Sequence, residues 1–287
     1  MRSRELHDDA RADPSQLMSR IHVRAPATSA NVGPGFDCVG VAFDLWNELV
    51  VEDDAGAPSP DVDHLGIAAF ARLAPPKRRR FTFTERIPRT SGLGSSAATI
   101  ALGLVAGASA AGLDPDPEAL LAEGLPLEGH PDNLAAALAG GVCLTWEGRI
   151  ERLARSTPAS PIALVSPAKV DTQASRAALP RNVSHEDAAF TAARAALLGA
   201  ALASGSADLF SAALEDRLHE PYRSPFLVEL RAQLPEGALG ATLSGSGPTV
   251  IVWARPDAAE SCADALASRY PSLEVLLLSV SPVGALL

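Results

Sequence analysis

The feature that constrains this chain most is a glycine-serine turn running straight into a long apolar helix. Ser91-Gly92-Leu93-Gly94-Ser95-Ser96 is followed by an Ala/Leu/Val-rich stretch over 97–111, with stop signals at Gly112 and Pro115. Glycines let the backbone approach an anion closely and turn its N–H groups inward. The helix behind them would bring unpaired N–H groups and the positive end of its dipole to the same place. The serine hydroxyls suit phosphate oxygens or a magnesium ion. The spacing therefore predicts a phosphate cradle, although an ordinary loop with a helix cap would also satisfy the turn taken alone. A Walker-type nucleotide site is excluded, because no Gly-Lys-Ser/Thr occurs and the only lysines are Lys77 and Lys169.

The rest of the chain mixes strand and helix without a regular β-α-β beat, which favours α+β over a doubly wound sheet. Strands are expected over 21–26, 45–52, 81–84, 142–146, 162–165, 239–243, 250–254 and 273–279. Helices are expected over 65–74, 133–139, 171–179, 186–204, 207–218, 226–234 and 258–268. The Pro-containing stretch from Thr157 to Pro161 separates a first unit, 20–157, from a second, 158–287. Residues 1–19 are polar and acidic and read as a disordered or dispensable extension, with Met18 as an alternative start.

Composition narrows the function. A net charge of −10 argues against a nucleic-acid surface. No apolar run reaches the ~20 residues of a membrane span. Cys38, Cys143 and Cys262 are three and scattered, which gives neither a disulfide framework nor metal spacing and fits a reducing cytoplasm. A homodimer is compatible with the sequence, which does not address oligomeric state.

Three further segments carry polar chemistry. Residues 25–37, Ala-Pro-Ala-Thr-Ser-Ala-Asn-Val-Gly-Pro-Gly-Phe-Asp, present Asn31 and Asp37 on a Gly-Pro-Gly turn suited to a small polar ligand. Glu128-Gly129-His130-Pro131-Asp132-Asn133 opens a helix, where Asp132 reads equally as an N-cap or as a substrate contact. Thr242-Leu243-Ser244-Gly245-Ser246-Gly247-Pro248-Thr249 is a glycine hairpin between two apolar strands. Singly, each reads equally well as a plain turn.

Together, in order and wording, the four segments resemble the motifs of the GHMP kinase superfamily over nearly the whole chain, from about residue 23 to 278. Residues 25–37 and 128–133 look like the homoserine kinase version rather than the galactokinase or mevalonate kinase one. The resemblance implies an α+β, two-domain GHMP kinase fold: a ribosomal-protein-S5-like N-terminal domain holding the Gly-Ser loop, and a ferredoxin-like C-terminal domain. It implies transfer of the γ-phosphate of ATP to the side-chain hydroxyl of L-homoserine, on the threonine route, with Mg2+. Carried over residue by residue, the ATP-phosphate set is Pro88, Arg89, Thr90, Ser91, Gly92, Leu93, Gly94, Ser95, Ser96 and Ala97. The substrate set is Asn31, Asp37, His130, Asn133, Thr172, Arg176, Arg223 and Gly245, and the catalytic set is Asp132, Asn133 and Ser96. Arg176 and Arg223 would fork the substrate carboxylate and Asp37 would balance its ammonium. Ser96 would lie near magnesium with one of two glutamates, Glu128 or Glu123; between them Pro126 is expected to interrupt a helix. Asp63-His64-Leu65 stands where that superfamily has an Asn-Leu, so no adenine contact is carried over.

Overall fold

The computed structural model describes residues 20–168 and 170–287. The expected extension over 1–19 and the lysine at 169 lie outside them.

Two antiparallel sheets divide the chain. In the first, β1 (Arg20–Asn31) and β2 (Gly35–Asp53) form a long hairpin, flanked by β3 (Arg79–Thr84), β4 (Val142–Trp146) and β5 (Arg149–Ala154). Residues 48–53 of β2 pair with β3, while Val39, Gly40 and Val41 pair with β4. The expected strand over 21–26 does not stop at Pro26. A register shift between Pro26 and Ala27 absorbs the missing N–H, and the strand continues to Asn31. The expected strand over 45–52 begins ten residues earlier, at Gly35. Residues 39–43 are buried on both faces, so the alternation that marks a half-exposed strand is absent there. The β4–β5 hairpin, unanticipated, turns on Glu147 and Gly148, whose φ values of 49° and 78° suit a two-residue connection.

The helices α1 (Leu65–Ala71), α2 (Ser95–Ala111), α3 (Pro117–Glu128) and α4 (Pro131–Ala139) pack together and against this sheet. Residues 97–108 of α2 are all buried, which is why its sequence shows no polar stripe. The helix α3 was not expected, and Pro126 does not interrupt it. The proline falls in the last turn, where it removes one i→i−4 bond, but only two residues follow it before the left-handed Gly129 cap, so little helix depends on that bond. As a result Glu128 ends the helix and hangs beside the start of α2.

The second sheet orders β7 (Ala238–Leu243), β8 (Val250–Ala254), β6 (Ser160–Val165) and β9 (Glu274–Leu277). With helices between β6 and β7 and α10 (Ala259–Arg269) between β8 and β9, this is the ferredoxin-like arrangement. The intervening helices are α5 (Thr172–Ala177), α6 (His185–Ser204), α7 (Ala207–Ala213), α8 (Glu220–Arg223) and α9 (Pro225–Arg231). The helix expected over 207–218 ends at Ala213. Buried Asp216 then gathers the backbone N–H groups of Leu218, His219 and Glu220 at 2.7–3.1 Å and redirects the chain.

The first sheet ends with β5 at Ala154 and the second begins with β6 at Ser160, on either side of residue 157. Residues 280–287, assigned to the second unit, return to the first sheet: Val280 bridges Phe43, and Leu286 bridges Arg24. One core unites both halves, with Phe43, Leu104, Phe210 and Trp253 all fully buried within it. Among the described residues no helix is long and apolar enough to cross a membrane.

Candidate active site

A cleft of about 490 Å³ opens where the two sheets meet. Its floor is the turn before α2. Thr90, Gly92 and Gly94 hold φ values of 55°, 93° and 65°, a left-handed run that turns successive backbone N–H groups to one side. Helix α2 has no side-chain cap, so the N–H groups of its first turn are free for an anion. A Cβ on Gly94 would sit 1.8 Å from Thr28 Oγ1, and one on Gly92 2.7 Å from the Ser244 carbonyl, so neither position admits a side chain.

The β7–β8 hairpin closes over this turn. Thr249 N donates to Ser91 O at 3.1 Å, Gly245 N to Ala30 O at 3.2 Å, and Ser244 Oγ to Gly92 O at 2.6 Å. Asn31, itself at φ 75°, uses both ends of its amide: Oδ1 accepts from Asp37 N and Nδ2 donates to Gly245 O. It thus sets the shape of the 31–37 loop and ties it to the second sheet.

On the acceptor side, Arg176 Nη2 grips both carboxylate oxygens of Asp37 at 2.7 and 2.8 Å. The two residues expected to take opposite charges of one ligand therefore hold each other. Arg223 is half-buried nearby, and its Nε has no partner among the described residues. Thr172, at the start of exposed α5, lines the cleft with His130. Burial, helped by the Arg176 charge, pushes the His130 pKa down and favours the neutral ring.

Two carboxyl groups sit deeper. Asp132 is 2 % exposed, and burial raises its pKa to about 6 against the opposing pull of the Asn133 N–H. It is not the N-cap of α4, which is His130; it lies in the first turn and accepts from Asn133 N at 2.7 Å. Asn133 in turn accepts from Thr28 Oγ1 at 2.8 Å. Glu128 accepts from Ser96 Oγ at 2.8 Å, and burial lifts its pKa to about 7. Glu123 faces away and pairs with Arg72 at 2.8 Å. Among the described residues no three His, Cys, Asp or Glu side chains cluster as a metal site would. Cys38 is half-buried with its thiol pushed up by burial and by Asp132 and Asp37, which rules out a ready thiolate.

All the residues expected on the substrate side line this one cleft, as do Asp132, Arg89, Thr90, Gly92, Gly94, Ser95, Ser96 and Glu128. Four of the expected phosphate-loop residues do not. Leu93 and Ala97 point into the core, while Pro88 and Ser91 face a smaller cavity of about 280 Å³ behind the loop. Ser91 instead stitches the turn, donating to Pro88 O at 2.8 Å and accepting from Leu93 N at 3.3 Å. Arg89 is held by Glu85 at 2.5 Å. Sequence reasoning gave no role to Thr28, Ser244, Phe36 or His219. The first three lie within quoted motifs, and the signal that singles them out is three-dimensional: each bridges segments far apart in the chain.

Comparison with known proteins gives a consistent result. Residues 65–141 match the GHMP kinases N terminal domain and residues 188–272 the GHMP kinases C terminal domain. A homoserine kinase of Streptomyces avermitilis is 39% identical, with 96% of this chain and 100% of that protein covered. One from Streptomyces coelicolor is 41% identical over 87% of this chain and 89% of that protein. The crystal structure of a homoserine kinase from Cytophaga hutchinsonii superposes with a TM-score of 0.82 at 24% identity, covering 94% of this chain and 98% of that one, and so shares the fold.

Proposed function

Because this chain belongs to the homoserine kinase branch of the GHMP kinases, we propose that its cleft transfers the γ-phosphoryl group of ATP to the side-chain hydroxyl of L-homoserine, giving O-phospho-L-homoserine and ADP. The observation that carries this reading is one cleft holding both an uncapped helix start behind a left-handed glycine turn and an Asp37–Arg176 pair with Arg223 beside it. The first binds a phosphate chain. The second binds an α-amino acid. A zwitterion exchanges with the internal ion pair without leaving a charge over, its ammonium going to Asp37 and its carboxylate to Arg176 and Arg223. A hydroxy acid or an amino alcohol leaves one partner unpaired.

Phosphoryl transfer needs positioning and charge neutralisation more than covalent participation by the protein. Free N–H groups at Ser95 and Ser96 take the charge on the phosphate oxygens. Asp132 is largely ionised at neutral pH and pinned by Asn133 N, so it orients the acceptor hydroxyl by accepting its hydrogen bond. As the hydroxyl oxygen bonds to the γ-phosphorus and the bond to the ADP oxygen breaks, the proton passes to the transferred phosphoryl group. Thr28 and Asn133 hold the Gly94 turn and the α4 start in register.

Ser96 and Glu128 suit a magnesium ion: two oxygen donors 2.8 Å apart, one of them a carboxyl whose raised pKa reflects burial that a cation would offset. When bound there, the ion would neutralise charge on the nucleotide phosphates. Glu123, on the far side with Arg72, is unsuited.

A coupled ADP-release assay with ATP, magnesium and candidate acceptors tests the proposal. L-homoserine should be turned over, and 4-hydroxybutyrate, which lacks the ammonium, at least tenfold less well. Turnover of mevalonate or a sugar without turnover of L-homoserine would overturn it, and ATP binding with no turnover of any acceptor would point to a regulatory protein.

A further inference from the structure

Phe36 stands between the two substrate loops, and nothing in the transfer reaction accounts for its surroundings. Three groups converge on its ring. The Arg223 guanidinium lies 5.1 Å from the ring centroid, that of Arg176 lies at 5.6 Å, and the His219 imidazole stacks at 4.9 Å with an interplanar angle of 22°. Both guanidinium distances are within cation–π range.

His219 is fully buried, and its ring is oriented at both nitrogens. Nε2 lies 2.9 Å from the Gly33 carbonyl, which can only accept, so Nε2 carries the proton. Nδ1 is then a lone pair, and it faces Arg223 Nη1 at 3.5 Å. The imidazole thus links the 31–37 loop of the first sheet to the α8 helix of the second. Among the described residues Arg223 makes no ion pair, and its Nε has no partner. What restrains it is the aromatic face and the imidazole lone pair, neither of which occupies the donor edge a carboxylate would take.

From this we infer that Phe36, backed by His219, is a positioning residue that presents Arg223 and Arg176 to the carboxylate of the acceptor. The inference rests on the reading of the cleft as an amino-acid kinase, and it adds a specificity element that no charge in the cleft supplies. A flexible arginine chain loses rotamer entropy when it binds. Held in advance against a ring, it loses less, and the gain appears in acceptor affinity rather than in nucleotide binding. Phe36 also fixes where the carboxylate sits relative to Asp37, its neighbour in the chain.

The test compares Phe36→Leu, which keeps apolar bulk but loses the π face, with Phe36→Tyr, which restores the ring. Phe36→Leu should raise KM for L-homoserine roughly tenfold, as expected for two cation–π contacts, with kcat and KM for ATP within about twofold of wild type. Phe36→Tyr should return KM to near the wild-type value. A second readout needs no substrate: phenylglyoxal, a guanidinium reagent, should modify Arg223 several-fold faster in Phe36→Leu than in wild type or Phe36→Tyr, read by peptide mass spectrometry. Equal rates in all three, or a KM change shared by ATP and L-homoserine, would overturn the inference. If the wild type fails to phosphorylate L-homoserine, the functional reading falls on that observation alone, while Arg223 reactivity still decides whether Phe36 positions it.

Discussion

The Glu128→Gln variant should make the folded protein more stable and the enzyme worse, and the stability gain should depend on pH. Burial raises the Glu128 carboxyl from its ordinary 4.5 to about 7. In the folded chain the group therefore keeps its proton up to about pH 7, whereas in the unfolded chain it loses it near 4.5. Between those values the folded state binds more protons, so this group's contribution to stability falls as pH rises and reaches its full penalty above pH 7. At ~1.4 kcal/mol per tenfold, the interval corresponds to at most roughly 3 kcal/mol. The carboxyl borders the open cleft, and solvent screening reduces that to about 1–2 kcal/mol. Glutamine has the same shape, can still accept from Ser96 Oγ, and never ionises. In magnesium-free buffer with a chelator, Glu128→Gln should thus exceed wild type at pH 5 by only about a quarter of the full effect. At pH 8 it should unfold at a temperature ~2–6 °C higher. Asp132 and Glu220 are shifted in the same direction, to about 6 and about 7, so both proteins lose stability on alkalinisation, and the difference between them isolates Glu128. The same variant should lose on the order of 100-fold in kcat/KM at saturating magnesium. Scanning calorimetry at the two pH values, with the ADP-release assay alongside, decides the matter. A variant less stable than wild type at pH 8, or a difference that does not change with pH, would refute the claim that desolvation governs this group. Unchanged activity would remove Glu128 from the phosphate machinery.

Other consequences are simpler to read. Gly94→Ala forces a left-handed residue with a Cβ 1.8 Å from Thr28 Oγ1, so KM for ATP should rise at least tenfold in a steady-state assay and Asn133 should lose its partner. Arg223→Ala should raise KM for L-homoserine by on the order of 100-fold while leaving the dissociation constant of an ATP analogue, measured by titration calorimetry, within about twofold. Deleting residues 280–287 removes the backbone hydrogen bonds that Ser281, Ala285 and Leu286 make with Arg24, Ala42, Ala137 and Gly141. At about 1 kcal/mol each, these approach the stability of a whole domain, so the truncated chain should be largely unfolded at 37 °C by circular dichroism.

How much of this was legible in the sequence depends on whether a residue acts locally or across the fold. The Gly92–Ser96 turn could be read because glycine spacing and a helix start are neighbours in the chain, and the physics of the cradle is local. The helix end at Gly112 was equally open to inspection, since a glycine just past an apolar helical run suits a left-handed cap. The long hairpin of β1 and β2 was not, because residues 39–43 face core on both sides and lose the alternation that reveals a strand. Pro126 misled for a related reason: its cost depends on how close it lies to the helix end, which the sequence alone did not supply. The return of the chain end to Phe43 and Arg24 leaves no local signature, since it is specified by the gap between two layers.

The cleft follows the same division, and this explains which roles changed. Asn31 and Asp37 were found by their motif, but as free ligands for substrate. The fold instead couples Asn31 to Asp37 N and Gly245 O, and Asp37 to Arg176, 139 residues away. Each charged group expected to meet the ligand thus has an internal partner or an aromatic support. That is the economical solution for a site required to stay folded when empty: an unpaired carboxylate in this half-buried loop would cost more than the exposed pair gains. Glu128 against Glu123 was undecidable from spacing because both precede His130 on one helix. Their five-residue separation places them on different faces, one toward Ser96 and the other toward Arg72, and only the packing of α3 on α2 determines which face meets the cleft.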